Sequence, residues 1–519
     1  MHLTQNWDVR KPGATSRGGI VASQSGTGAR VGADVLKAGG SAADAVVATA
    51  FALAAVEPWN SGLGGIGFMV VHQPGAPRAE VVDFGPVAPH GLDPTAFPLT
   101  GEMRTELFTW PQVVGDRNMH GPLSFAIPSA VRGYALAVER FGRLPWRELV
   151  KPAVALASAG LPVDWFTTLK VAAAAADLRR YEESQRVWLA DGLPPVCPPD
   201  SASMSLRLGR LAETLDRLAE TGPLDFYEGD IARSIVADTR AGDGVLSPED
   251  LANCRARVVP ALKVPYRGAI FQTTPGMTAG PTLEGILHSL GGQKFADTPD
   301  GHYFEAIVDA LHDAYADRLH NMGDVEGGSR TSTTHITAID REGGIAALTT
   351  TLLSSFGSRY VLPGTGILMN NGVMWFDPRP GQPNSIAPGK RALTNMCPVV
   401  VARDGRPWFG VGASGGRRIL GAVLQVASFI VDFGMDPEAA AHHPRLDVNG
   451  GERFAIDRRL PPEIIERLSR RPGAGVVEHT AFPSRFACPN LVMREASSNR
   501  GISDVMSPWS AAVAELEDA

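Results

Sequence analysis

The stretch Arg330-Thr331-Ser332-Thr333-Thr334-His335 runs into Ile336-Thr337-Ala338-Ile339-Asp340, and its small hydroxyl residues stand directly ahead of an apolar alternation that predicts a β-strand. The turn Glu342-Gly343-Gly344 sends the chain back through a second strand, Ile345 to Leu352. Pairing Ile339 with Ile345 across that loop sets Thr333 opposite Thr351. A hydroxyl at a strand start that faces another hydroxyl is a candidate nucleophile, although threonine also suits strands without any chemistry.

Outward from this hairpin, the 519 residues suffice for one large α/β unit or two ordinary domains, and 44% hydrophobic with 20% charged residues is ordinary for a folded globular chain. The 57 glycines and 40 prolines foretell many turns and close backbone approaches. A formal charge of −7, with no Lys/Arg block and no basic patch interleaved with aromatics, argues against nucleic acid as a partner. Cys197, Cys254, Cys397 and Cys488 lie far apart without metal or redox spacing, so no metal or cofactor is expected and free thiols are. The start Met1-His2-Leu3-Thr4-Gln5-Asn6-Trp7-Asp8 lacks a basic, then apolar leader, and the most apolar run, Ala45 to Val56, is too short to span a bilayer. The expectation is a cytoplasmic protein with no membrane partner.

Along the chain, Gly19 to Ser23 reads as a strand, Ala29 to Ala38 as a helix, and Ser41 as the N-cap of an Ala-rich helix. The loop Glu57-Pro58-Trp59-Asn60-Ser61-Gly62-Leu63-Gly64-Gly65-Ile66-Gly67 is dense in glycine. It has no Gly-Lys-Ser/Thr ending and leads into a strand, whereas a phosphate cradle needs a helix start. Residues from Pro122 to about Glu220 read as a mainly helical layer. Near the other end, Gly412-Ala413-Ser414-Gly415-Gly416 precedes a helix from about Arg418, where backbone N–H groups at a helix N-terminus can hold an oxyanion; a plain tight turn explains the same residues.

Taken together, Gly18-Gly19-Ile20-Val21-Ala22-Ser23, Leu36 to Ala45, Leu63-Gly64-Gly65-Ile66-Gly67-Phe68-Met69, Thr333-Thr334-His335, Asn384 to Arg391 and Gly415-Gly416 resemble, in order, the γ-glutamyltranspeptidases and their amidohydrolase relatives among the N-terminal-nucleophile hydrolases. The resemblance implies a four-layer αββα sandwich and a proenzyme that cleaves itself between Ser332 and Thr333. Residues 1–332 then form a large subunit and 333–519 a small one, both within one unit. It implies Thr333 as nucleophile, Thr351 as its hydrogen-bonding partner, and Gly415 and Gly416 as the oxyanion hole. A hydroxyl needs a base beside it, and a freed α-amino group with a reference pKa of about 7.7–8.0 serves as one, whereas an amide nitrogen does not.

The family's substrate-binding positions do not carry over. Its carboxylate-binding arginine falls at Gly85, the groups that hold the donor's amino end fall at Leu353, Gly372 and Trp375, and its serine pair falls at Thr394-Asn395. The stretch from Arg318 to Thr333 is also shorter than in typical transpeptidases. Retained chemistry with changed specificity points to a small-molecule amide as substrate, similar to the oxamate amidohydrolase branch. The alternatives are true γ-glutamyl transfer with glutathione hydrolysis, and a non-enzymatic protein of the same fold. Arg359, Trp375, Thr394 and Asn395 are the candidate substrate contacts, Arg359 as a replacement carboxylate clamp, with a purely structural arginine as the other reading. His335 shares a face with Thr333 but stands about 7 Å along the strand, beyond direct proton transfer, and is expected to be a packed core histidine.

Overall fold

Both faces of the strand Ser332–Ile339 are covered, which decides the architecture. The computed structural model describes residues 9–103, 110–321, 332–451, 453–480, 482 and 484–515, the side chains of 319–321 and 332 excepted. Arg330, Thr331 and the glycine-rich run 322–329 lie outside the described residues. Ile336 and Ala338 face a helical layer in company with Ala346 and Leu348 of the neighbouring strand. Ile339, Ile345 and Ala347 face a second sheet, as period-two alternation requires.

The first sheet has the strand order Ala511–Ala514, Ile20–Ser23, Ser332–Ile339, Ile345–Leu353, Ile66–His72, Glu80–Phe84, Arg257–Pro260. The second runs Ala14–Ser16, Asn499–Ser503, Cys488–Arg494, Arg406–Ser414, Val399–Arg403, Ala269–Thr273, Leu262–Tyr266. Every pairing in both is antiparallel. Helices Gly26–Lys37, Ala42–Val56, Ala130–Phe141 and Trp146–Ala159 lie on the side of the first sheet, and Gly280–Gly291, Gly301–Asn321 and Arg418–Val431 on that of the second. The expected αββα sandwich is the observed one. Each sheet takes strands from both sides of Thr333, so a cut ahead of it leaves two pieces still joined by ladder hydrogen bonds.

The helix Ala42–Val56 is buried along nearly its whole circumference, as a helix apolar all round must be. Ser41 caps it in a box with Asp44: the Ser41 side chain accepts from the Asp44 N–H while the Asp44 carboxylate accepts from the Ser41 N–H at 2.9 Å. Its other end delivers Glu57 to the interior.

The glycine-dense loop after Glu57 serves backbone contact. A Cβ at Gly65 would stand 2.9 Å from the Thr351 carbonyl oxygen, and the Leu352 N–H donates to the Asn60 carbonyl at 2.9 Å. The loop is thereby fastened against the end of the Thr351 strand.

Candidate functional site

The hairpin register follows Ile339↔Ile345 as far as Thr334↔Thr350, then shifts so that Ser332 pairs with Leu353. This bulge takes Thr333 out of the ladder instead of leaving it in plain opposition to Thr351, and bulges commonly re-aim a side chain. The two hydroxyls still meet: Thr333 Oγ1 donates to Thr351 Oγ1 at 3.3 Å. Thr351 Oγ1 also accepts from the Leu353 N–H at 2.8 Å. Leu353 has φ 80°, and Phe356 and Arg359 in the same loop have φ 60° and 61°, a left-handed region that side chains occupy at a cost.

Thr333 and Gly415 line one cavity of about 80 Å³, together with Gln24, Glu57, Asn60, Phe166, Lys170 and Cys488. Gly415 ends the strand Arg406–Ser414 with φ 137°, and Gly416 follows at φ 63°. A Cβ on Gly415 would meet Ala487 at 3.0 Å, so backbone conformation and space both require glycine there. Gly416 adjoins the cavity through Gly415 without lining it.

Glu57 escaped sequence reasoning as a site residue; the one signal was a carboxylate directly after the apolar run Ala45 to Val56. Thr334 Oγ1 donates to Glu57 Oε2 at 2.9 Å, and Gln24 Nε2 donates to Oε1 at 3.3 Å. Burial pushes its pKa up to about 7, against the hydrogen bond from Thr334 and the attraction of Lys170. The folded state therefore disfavours its ionisation. The stability contributed by Glu57 is full below about pH 4.5, is lost as pH rises through 7, and stays lost above. Glu57→Gln is expected to gain stability over the wild type by roughly 3 kcal/mol more at pH 8 than at pH 4.5. Urea melts at the two pH values measure this, and a difference independent of pH would contradict it.

His335 lies wholly inside, its pKa pushed down to about 3 by burial. Asn490 Nδ2 donates to the His335 carbonyl at 2.6 Å, which leaves Asn490 Oδ1 to accept from Thr337 Oγ1 at 2.8 Å. Having donated its single proton, Thr337 accepts from His335 Nε2–H at 2.9 Å, and His335 Nδ1 then accepts from Thr349 Oγ1 at 2.9 Å. The ring is a neutral, satisfied bridge between the sheets.

The remaining sequence candidates are placed elsewhere. Arg359 Nη1 donates to the Gly357 carbonyl at 2.6 Å and Nε stands 3.7 Å from Asp177, so this arginine is turned away from the cavity lining. Trp375 packs with Ile66, Phe68 and Leu353 in an apolar cluster. The Thr394 carbonyl and Asn395 Oδ1 accept from Arg318 at 2.7 and 3.3 Å. None of these four lines the Thr333 cavity. At Gly85 a Cβ would strike the Phe68 ring, so the space of a clamp residue is filled by core. Among the described residues no acidic, histidine and cysteine cluster suits a metal, and no helix is long and apolar enough to cross a membrane.

A family model for gamma-glutamyltranspeptidase matches residues 28–331 and 327–514. The glutathione hydrolase proenzyme of Escherichia coli (strain K12) is 29% identical, over 96% of this chain and 93% of its own. The acylase ACY 1 proenzyme of Pseudomonas sp. (strain V22) is 31% identical, over 89% and 88%. Among solved structures, cephalosporin acylase from Bacillus halodurans superposes with a TM-score of 0.86 at 24% identity, each chain covered in full. A fold of two antiparallel sheets between helices, a strand-start threonine lining a cavity and a family match over most of the chain converge: this protein belongs to the γ-glutamyltranspeptidase family and is an enzyme of the N-terminal-nucleophile hydrolase type.

Proposed function

We propose that this protein is an amide hydrolase that cleaves its own chain ahead of Thr333 and then uses that residue for acyl transfer to water. The observation that carries the reading is one cavity shared by Thr333, whose hydroxyl touches Thr351, and the positive-φ backbone at Gly415. In the first step Thr333 Oγ1 attacks the Ser332 carbonyl carbon, the C–N bond breaks, and the ester that forms is hydrolysed to leave a free Thr333 α-amino group. That amine then takes the hydroxyl proton as Oγ1 attacks a substrate amide. The oxyanion is held at the Gly415–Gly416 backbone, the leaving amine departs with the proton, and water releases the acid. Removing one oxyanion donor typically costs roughly 3–4 kcal/mol of barrier.

Hydrolysis of a small amide is favoured over γ-glutamyl transfer because the positions that hold the two ends of a γ-glutamyl donor in the family are Gly85, Leu353, Gly372 and Trp375 here, none of them charged. Relatives named acylase as well as glutathione hydrolase support the wider class. The cytoplasm suits the four cysteines, which stand as free thiols. A panel of small primary amides, with a γ-glutamyl anilide plus dipeptide acceptor beside it, tests the reading. Ammonia release above a Thr333→Ala control, with little anilide turnover, is expected; the reverse pattern would restore the transferase.

A further inference from the structure

The helix Trp165–Leu178 starts at Asp164, whose carboxylate accepts from the N–H groups of Phe166 and Thr167 at 2.9 and 2.8 Å. That cap sets the rotation of its first turns. Phe166 and Lys170, four residues apart, then share one face, and both line the Thr333 cavity. Lys170 Nζ stands 5.2 Å from the Phe166 ring centroid, so the ring steadies the side chain while the ammonium stays toward the cavity. Among the described residues no hydrogen bond or ion pair engages that ammonium. Glu57 attracts it from a distance, yet its own oxygens are engaged by Thr334 and Gln24, and burial outweighs the attraction and lowers the lysine's pKa. Lys170 is half-buried, and its unengaged ammonium offers an anion that enters the cavity a charged partner on its wall.

We propose that Lys170 is the carboxylate-binding residue of the acyl pocket, and that the substrate is accordingly a short amide whose acyl part ends in a carboxylate. The inference rests on the reading of Thr333 as nucleophile. It supplies what Gly85 has lost and what Arg359, directed at Gly357 and Asp177, does not provide. Thr333 and Lys170 line the same cavity, so a short chain between scissile carbonyl and carboxylate is what the pair is proposed to accept. Lysine here acts as a point charge, without the planar fork by which arginine selects carboxylate geometry, so acids of slightly different length are tolerated.

Calorimetric titration of malonate and succinate, which resemble the product acids and do not turn over, tests this on the purified enzyme. Both are expected to bind the wild type at one site per chain, roughly 10–100-fold more weakly to Lys170→Met, as for loss of a hydrogen bond to a charged group, and with affinity recovered in Lys170→Arg. Lys170→Gln takes the place of the methionine variant if that one does not fold. Equal affinity for wild type and the neutral variant, or no binding of either acid to the wild type, overturns the proposal. Denaturing electrophoresis of the same samples reads the Thr333 step separately: a chain that stays intact speaks against the nucleophile, whereas two fragments with unchanged acid binding speak against Lys170 alone.

Discussion

Thr333→Ala is expected to leave the chain in one piece and to abolish amide turnover, a loss on the order of a millionfold, as when a hydrolase loses its nucleophile. Under the proposed mechanism the hydroxyl has two duties in sequence, attack on its own chain and attack on substrate, so one substitution removes both. Thr333→Ser keeps an oxygen at the same place and is expected to cleave, more slowly, because the methyl that restricts χ1 is gone. Thr351→Val keeps the nucleophile and removes only the hydroxyl 3.3 Å away, so it should slow cleavage without preventing it. Electrophoresis and ammonia release measure all three. Cleavage of Thr333→Ala at the same bond would place the reacting group elsewhere.

Gly412→Ala is expected to destabilise the fold by about 4 kcal/mol, although residue 412 lies outside the cavity lining. A Cβ there would stand 2.1 Å from Cε1 of the His335 ring, on the strand of the facing sheet. The ring cannot yield freely, because Thr349 and Thr337 hold its two nitrogens and Asn490 holds its carbonyl. Either the sheets part or buried polar groups lose partners, each loss costing about 1–3 kcal/mol besides the overpacking. Urea unfolding measures the change, and His335→Ala in the same chain should recover part of it by opening the space. A loss under about 1 kcal/mol would mean that the inter-sheet contact is soft. The strand that presents Thr333 is thus held in place two residues away by a histidine with no need to act in proton transfer.

Much of this could be read from residue patterns. Alternation at Ile336-Thr337-Ala338-Ile339, with a turn at Gly343-Gly344, carried the hairpin and its register through Thr334, because each slip would expose an apolar face. Ser41 announced its helix by local capping, and such a signal does not depend on tertiary context. The bulge at Thr333 was not legible, since nothing in Ser332-Thr333-Thr334 marks where a ladder shifts. Neither was Lys170, which sits in an Ala-rich helix and comes to line the same cavity as Thr333 only once the layers have packed. Arg359 drew attention by closeness in sequence to Thr351, but its left-handed backbone turns it toward Asp177. Trp375 read as a candidate substrate contact; the cluster with Phe68 and Leu353 places it in the core instead.

The central claim is that this chain becomes active by exposing Thr333 as an N-terminus. N-terminal sequencing and intact-mass measurement of the wild-type protein's smaller fragment test it most directly. The account predicts a fragment beginning Thr333-Thr334-His335-Ile336; a single uncut chain, or a fragment that begins at any other residue, would contradict it.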